Sequence, residues 1–358
     1  SLEAIRDKID TLPTSVTESA TFTADGAITV GDLTGVTSGG KAPKLTADWA
    51  ASAVPTTFTT IATGAASTTV SHSAWIATDK FITVYNNNTD IYVVVCTIAA
   101  TGTITVGTPV DTTFNSTASN TPVRVVKLDT DKAQIFYIVV TTGYGQSAVI
   151  TVSGTVPTIG AATQWTANEI PKAIDACQLG TDKCCAAYKI TGTVVYHING
   201  CTVSGTTQTW GTAANSEGTS ITATGQTSIA KVATDLVAWS FERSATYLVV
   251  ANVSFSGANP TRNGTDLNNF IDIASVADAN GELTSCSPAA NLAFVATVNS
   301  AGKIVYTNTV TVSGTASPVA GTGTNITYEP GDSNPPNTVS CQILDSTHVA
   351  ILNGNISA

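Results

Sequence analysis

Leu128-Asp129-Thr130-Asp131-Lys132 joins two apolar stretches through a short polar turn, and the same arrangement recurs along the chain. The shared turn aspartates are Asp79, Asp131, Asp182 and Asp235, so successive copies are 52, 51 and 53 residues apart. Weaker copies of the turn are expected at Asp278-Ala279-Asn280-Gly281 and at Asp345-Ser346-Thr347-His348. The chain is therefore predicted to repeat one structural unit.

A second landmark keeps the same period. Serines that precede a turn glycine stand at Ser153, Ser204, Ser256 and Ser313, with spacings of 51, 52 and 57 residues. A unit of this length that holds four short strands is typical of one β-propeller blade. Six turns predict an all-β propeller of six four-stranded blades, with a seventh hidden in residues 16–70 as the alternative. A stack of separate β-sandwiches is the other architecture that such strand spacing allows.

The second copy shows the unit best. Strands are predicted over 123–128, 133–140 and 148–152, and residues 157–165 return to the start of the next copy. The last copy stops short of its later strands, so the N-terminal β segment, residues 14–70, is expected to complete that blade. A ring closed in this way leaves no strand edge open to aggregation. Residues 71–358 then hold the propeller repeats.

The first 13 residues form a different element. Apolar side chains spaced three and four apart predict a one-sided helix that ends at Pro13, and its stripe consists of Leu2, Ile5, Ile9 and Leu12. A helix this short is unstable alone in water, so the stripe must pack on something. Docking on the protein's own β domain and anchoring in a larger assembly both remain open.

Composition limits the class of protein. Charged residues make up only 11% of the 358 residues, and 25 acidic against 15 basic residues give a net charge of -10. Such a chain repels nucleic acid, and no apolar run is long enough for a membrane helix. A surface kept soluble by Thr, Ser, Asn and Gly is typical of exterior proteins. Because no signal peptide opens the chain, we expect synthesis in a host cytoplasm and display on a virion surface.

No catalytic or metal-binding pattern is found, and no cofactor is expected. His72, His197 and His348 are interpreted as turn or strand-surface residues, and the repeated aspartates as turn residues. The seven cysteines are interpreted as small buried hydrophobes with free thiols. A disulfide between Cys177 and Cys184, which flank one turn, is the alternative.

The repeat resembles the degenerate propeller repeats in fibre and appendage proteins of tailed bacteriophages. The segments that carry this resemblance are Leu128 to Lys132, Thr151-Val152-Ser153-Gly154-Thr155 and Thr103-Ile104-Thr105-Val106-Gly107-Thr108-Pro109-Val110. Ala27 to Leu33 resembles the lead-in segment of such proteins, and the whole resemblance spans residues 20–358. It implies a virion structural protein, a tail or head fibre or appendage that attaches to the host surface, and it transfers no active site.

Loop tips at one end of the blades are the expected ligand contacts. Asn86 to Asp90, Thr141 to Gln146 and Glu242 to Tyr247 are predicted to share one face, where Tyr144, Arg243 and Tyr247 would meet a host glycan. A long insertion, Ala316 to Thr338, adds the candidate contacts Tyr328 and Glu329.

Three functions therefore remain in order. The first is host attachment by an appendage that assembles as a homo-oligomer with other virion proteins through the N-terminal helix. The second is a passive capsid decoration without a ligand. The third, a glycan-active enzyme, is disfavoured because the sequence shows no paired carboxylates at a fixed spacing.

Overall fold

The computed structural model describes residues 71–87, 90–115, 123–139, 141–166, 169–190, 195–216, 226–244, 247–272, 283–299, 304–321, 324–327, 338–343, 346 and 349–354. The chain divides into two compact units, Ser1–Thr60 and Ile61–Ala358, and all of these residues belong to the second. The predicted helix over 1–13, with Leu2, Ile5, Ile9 and Leu12, lies outside the described residues. The predicted ring-closing segment, residues 14–70, lies outside them as well.

The described residues form strands grouped in six antiparallel sheets that follow one another along the chain. Sheet one holds β1 (Ser71–Ala77), β2 (Lys80–Asn87), β3 (Asp90–Ile98), β4 (Ile104–Val106) and β5 (Val110–Asn115). Sheet two holds β6 (Arg124–Asp129), β7 (Lys132–Ile138), β8 (Gly145–Ser153), β9 (Val156–Ile159) and β10 (Thr163–Gln164). Sheet three holds β11 (Pro171–Gly180), β12 (Lys183–Ile190), β13 (Tyr196–Ser204), β14 (Thr207–Trp210) and β15 (Ala214–Asn215).

The remaining three sheets continue the pattern. Sheet four holds β16 (Thr227–Ala233), β17 (Leu236–Ser244), β18 (Tyr247–Ser256) and β19 (Asn259–Asp272). Sheet five holds β20 (Leu283–Ala289), β21 (Leu292–Asn299), β22 (Ile304–Thr311), β23 (Val319–Ala320) and β24 (Thr324–Thr327). Sheet six pairs β25 (Thr338–Ile343) with β26 (Val349–Gly354).

Successive sheets pack face to face, with their first strands side by side. Strand β6 contacts both β1 and β11, β16 contacts both β11 and β20, and β20 also contacts β25. Separate apolar cores fill the spaces between sheets one and two, two and three, three and four, and four and five. Each sheet therefore has an apolar partner on either side, which is the packing of propeller blades. The molecule is an all-β propeller with six successive sheets, as the repeat predicted.

The turn between the first two strands repeats in conformation as well as in sequence. The turn residues Asp131, Asp182 and Asp235 all have φ of 55°, and Asn291 has φ of 61°. Asp and Asn are the non-glycine residues that tolerate this left-handed region best. The fifth turn is therefore Ala290-Asn291, between β20 and β21, and not Asp278 to Gly281 as the sequence predicted.

These turns also link neighbouring sheets. The Lys80 ammonium lies 2.6 Å from the Asp131 carboxylate, Lys132 lies 2.7 Å from Asp182, and Lys183 lies 3.0 Å from Asp235. The aspartate of one turn thus accepts a hydrogen bond from the lysine of the preceding sheet. This pairing explains why the Asp-Lys dipeptide repeats in the first three copies.

Candidate functional site

A cleft of about 530 Å³ opens beside the core that joins sheets two and three. Its lining combines aromatic side chains with a few polar ones, namely Trp165, Tyr188, His197, Trp210, Glu169, Asn199, Gln164, Thr166, Thr212 and Asn215, together with Gly211 and Ala213. Concave sites of this size and mixture are typical of small-ligand binding.

The end of sheet two positions Trp165 and Thr166. The Trp165 amide donates to the Gly145 carbonyl at 3.0 Å, and the Gly145 amide donates to Thr166 Oγ1 at 2.9 Å. A Cβ at position 145 would lie 2.7 Å from Thr166 Cγ2 and 2.9 Å from the Trp165 ring. Glycine at the start of β8 is therefore what lets the indole lie against this strand.

Sheet three supplies the opposite wall. Tyr188 on β12 lies directly across from His197 on β13, and Asn199 follows His197 by two residues on the same face. Trp210 on β14 lies across from Cys201, which continues that face. Alternation along two strands thus brings four cleft residues to one side of the sheet.

The aromatic rings form one cluster. The Trp165 and Trp210 rings are stacked, with centroids 5.6 Å apart and planes at 28°. Tyr188 meets Trp165 edge to face at 4.8 Å, and Phe136 supports both indoles edge to face from the core side at 5.8 and 6.0 Å. Trp165 is only 3% exposed, whereas Trp210 is partly exposed at the cleft. Trp210 therefore offers the accessible indole, and the other rings fix its position.

Glu169 connects the polar groups of the cleft. It accepts a hydrogen bond from the Tyr188 hydroxyl at 2.8 Å, and its Oε2 lies 3.5 Å from His197 Nδ1. Burial, aided by the hydrogen bond to Glu169, raises the pKa of Tyr188, which stays a hydroxyl donor at neutral pH. Burial lowers the pKa of His197 and the Glu169 charge only partly opposes this, so the imidazole is neutral at pH 7.

Three lining residues carry spare hydrogen-bonding capacity. Within the part of the chain that the structure describes, the indole N–H groups of Trp165 and Trp210 and the Oδ1 of Asn199 are buried without a partner. Native proteins rarely leave such atoms unsatisfied, and water or a ligand is the usual partner. The cleft thus offers two donors and one acceptor beside its aromatic wall.

The sequence-predicted contacts lie elsewhere. Tyr144 sits in the β7–β8 loop, next to Gly145, and is not among the lining residues. Arg243 and Tyr247 lie at the end of β17 and the start of β18, and the described side chains do not include theirs. Tyr328 and Glu329 fall outside the described residues. The proposed loop-tip site therefore stays a prediction.

Sequence reasoning missed the cleft itself. It placed His197 on a turn or strand surface, but this side chain is 8% exposed and packs beside Tyr188 because its strand is covered by sheet two. Trp165 and Trp210 carried the available signal, since two of the five tryptophans close successive copies of the repeat. What could not be read was that both rings meet in one interface.

Neither a metal centre nor a membrane helix is found in the described ranges. They hold no group of three or more His, Cys, Asp or Glu side chains that could bind a metal ion. They also contain no helix with the length and apolarity that a membrane crossing requires.

Comparison with known proteins gives structural neighbours only. No family matches the sequence, and no curated protein matches it. The six-bladed β-propeller lectin of Aleuria aurantia is 10% identical with a TM-score of 0.48, over 81% of this chain and 89% of the lectin. SapL1 lectin in complex with alpha methyl fucoside is 12% identical with a TM-score of 0.48, over 80% of this chain and 88% of that one.

A third neighbour is a mutant of AofleA from Arthrobotrys oligospora, 11% identical with a TM-score of 0.48, over 81% of this chain and 80% of its own. Likeness at such identities concerns the fold alone. The chemistry of the cleft is therefore taken from the residues of this chain.

Proposed function

We propose that this propeller is a carbohydrate-binding protein and that the cleft between sheets two and three is its binding site. The observation that carries the proposal is the partly exposed Trp210 ring, held against Trp165 beside a Glu169–Tyr188–His197 group. An aromatic face packs well against the C–H face of a pyranose ring, while carboxylate, amide and imidazole groups pair with its hydroxyls.

The charge of the site favours a neutral sugar. Glu169 is the only ionisable acid among the described lining residues, and His197 is neutral at pH 7. The whole chain adds a net charge of -10. Sialylated or sulfated glycans would therefore meet repulsion of like charges, whereas a neutral hexose or deoxyhexose would not.

The same lining favours binding over hydrolysis. Glycosidases of the two-carboxylate type need a pair of acids about 5 to 10 Å apart across the scissile bond. The described wall of this cleft supplies Glu169 alone, and its Oε2 already accepts the Tyr188 hydroxyl.

At the level of the organism, we propose that the protein is a virion appendage, a tail or head fibre component that uses the propeller for host attachment. The low charge, the Thr-rich repeats and the resemblance to phage appendage repeats support this role. The helix over 1–13 would hold it to other virion proteins, as a homo-oligomer.

A glycan array tests the proposal with two tryptophan variants. We expect the wild-type protein to bind neutral glycans and Trp210→Ala to lose at least about tenfold in affinity, because the stacking surface is removed. Trp75→Ala is the matched control, since Trp75 is 55% exposed on β1 in sheet one.

Two results would contradict this assignment. Equal loss in both tryptophan variants would show that the cleft is not the site. A folded wild-type protein that binds none of the host-surface glycans would favour the passive decoration instead.

A further inference from the structure

Six of the seven cysteines lie near another cysteine. Cys177 and Cys185 are cross-strand neighbours within sheet three, with their sulfurs 3.5 Å apart, and Cys184 lies across from Cys201. The neighbour of Cys177 is thus Cys185, not Cys184, because the hairpin register places it there. The third pair, Cys286 and Cys341, joins two different sheets.

The third pair sits where sheet five meets sheet six. Cys286 lies on β20 and Cys341 on β25, and these first strands pack side by side. The two thiols are in hydrogen-bonding contact. Thr284 Oγ1 lies 3.4 Å from the Cys341 sulfur and fixes its position from the same strand as Cys286.

Access and reactivity also set this pair apart. Cys286 and Cys341 are both partly exposed, whereas Cys184, Cys185 and Cys201 are fully buried. The hydrogen bond from Cys286 lowers the pKa of Cys341, and burial opposes this only in part. Since the thiolate is the reactive form, Cys341 is the expected attacking group.

We propose that Cys286 and Cys341 form an oxidation site, a disulfide clasp that ties sheet six to sheet five when the protein meets an oxidising environment. The clasp is independent of the cleft and of any ligand bound there. A chain made in a reducing cytoplasm and then exposed outside the cell would pass through that change of environment.

The chemistry balances with a small-molecule disulfide such as oxidised glutathione. The Cys341 thiolate attacks one sulfur, breaks the S–S bond and releases one glutathione thiolate. Cys286 loses its proton to water and attacks the Cys341 sulfur of the mixed disulfide, releasing the second glutathione. Two protein thiols are oxidised by two electrons, and one small disulfide is reduced to two thiols.

The clasp would act on the most weakly held part of the described structure. Sheet six consists of two strands in the described ranges and packs on sheet five through β25. A covalent bond between β20 and β25 restricts the opening of that sheet, because local unfolding must keep the two strands together.

Peptide mapping of the folded, full-length protein tests the site. The reduced protein is incubated with oxidised glutathione, blocked with an alkylating agent, denatured and digested with trypsin without reductant. Cleavage at Lys183, Lys189, Arg262 and Lys303 puts Cys177, the Cys184–Cys185 pair, Cys201, Cys286 and Cys341 on different peptides. We expect peptide 263–303 joined to 304–358, lighter by two hydrogen atoms than their sum.

Hydrogen exchange tests the clasp. We expect the amides of β25 and β26 to exchange at least about tenfold more slowly in the oxidised protein. Cys286→Ser should remove both the joined peptides and the slowing, while Cys177→Ser, the matched control, should keep both.

Several outcomes would overturn the inference. They are Cys341 recovered only as a glutathione mixed disulfide, joined peptides confined to the other cysteines, and a 286–341 link that leaves the exchange of sheet six unchanged. Each of these outcomes is observed on the wild-type protein alone, so the test holds even where a variant fails to fold.

Discussion

At the scale of single residues, burial controls the charge state of the groups that matter most. His197 and Tyr188 both keep their neutral forms around Glu169 because the core between sheets two and three removes them from water. The cleft therefore combines one carboxylate with neutral donors and acceptors, which is the combination that recognition of hydroxyl groups requires.

Glu242 shows the same effect in the opposite direction and gives a stability prediction. Burial raises its pKa to about 7, although the Gln226 amide donates to its carboxylate at 3.2 Å. A carboxyl with a raised folded-state pKa stabilises the protein below its unfolded pKa near 4.5, and that contribution is lost as the pH rises through 7.

We therefore expect Glu242→Gln to be more stable than the wild type by about 1 to 3 kcal/mol at pH 8 and equal to it at pH 4. Urea unfolding at the two pH values measures the difference. A variant that is equally or less stable at pH 8 would show that the buried carboxylate is compensated by its surroundings.

At the scale of strands and turns, glycines set the distance between neighbouring sheets. The Gly211 amide donates to the Gly200 carbonyl at 3.0 Å, and a Cβ at position 211 would lie 2.1 Å from the Ala258 carbonyl oxygen in the β18–β19 turn. The turn of sheet four therefore packs directly on the backbone of sheet three.

Gly211→Ala is expected to lower the free energy of unfolding by about 2 to 4 kcal/mol, because the next sheet must move away. Gly180→Ala is the control, since a Cβ there meets nothing within 4 Å and φ is not left-handed. Chemical denaturation of both variants checks this, and similar stabilities would contradict the proposed close contact.

The repeat was readable at this scale because turn chemistry is local. Asp131, Asp182 and Asp235 each combine a left-handed turn conformation with a lysine of the preceding sheet, so both the residue and the period recur. The fifth turn was misplaced because Asn291 is followed by Leu292, and the Asp-Lys signature is lost there. With Asn291 in that place, the step from Asp235 is 56 residues, close to the earlier ones.

At the scale of the whole molecule, the sequence predicted the propeller but not its binding cleft. Strand periodicity and turns act within one copy, whereas the cleft needs Trp165 from sheet two and Tyr188, His197 and Trp210 from sheet three. Contacts between copies depend on packing angles that no local pattern encodes. The loop-tip tyrosines were chosen because exposure, unlike a shared interface, can be read from turn composition.

Ring closure gives a prediction at this scale. If residues 14–70 complete the last blade, removing residues 1–60 should lower the midpoint of thermal unfolding by at least about 5 °C and promote aggregation, since strand edges are left open. Removing residues 1–13 alone is the control and should change assembly but not the midpoint. An unchanged midpoint after the longer deletion would contradict closure by this segment.

The most direct test of the central claim is the indole N–H spectrum of the isotope-labelled protein during titration with a neutral glycan that it binds. The chain has five tryptophans, and Trp→Phe variants assign their signals. We predict that Trp165 and Trp210 shift together in a saturable way, while Trp75 and Trp239 stay in place. Saturable binding that leaves both cleft indoles unmoved would contradict the assignment of this cleft as the carbohydrate site.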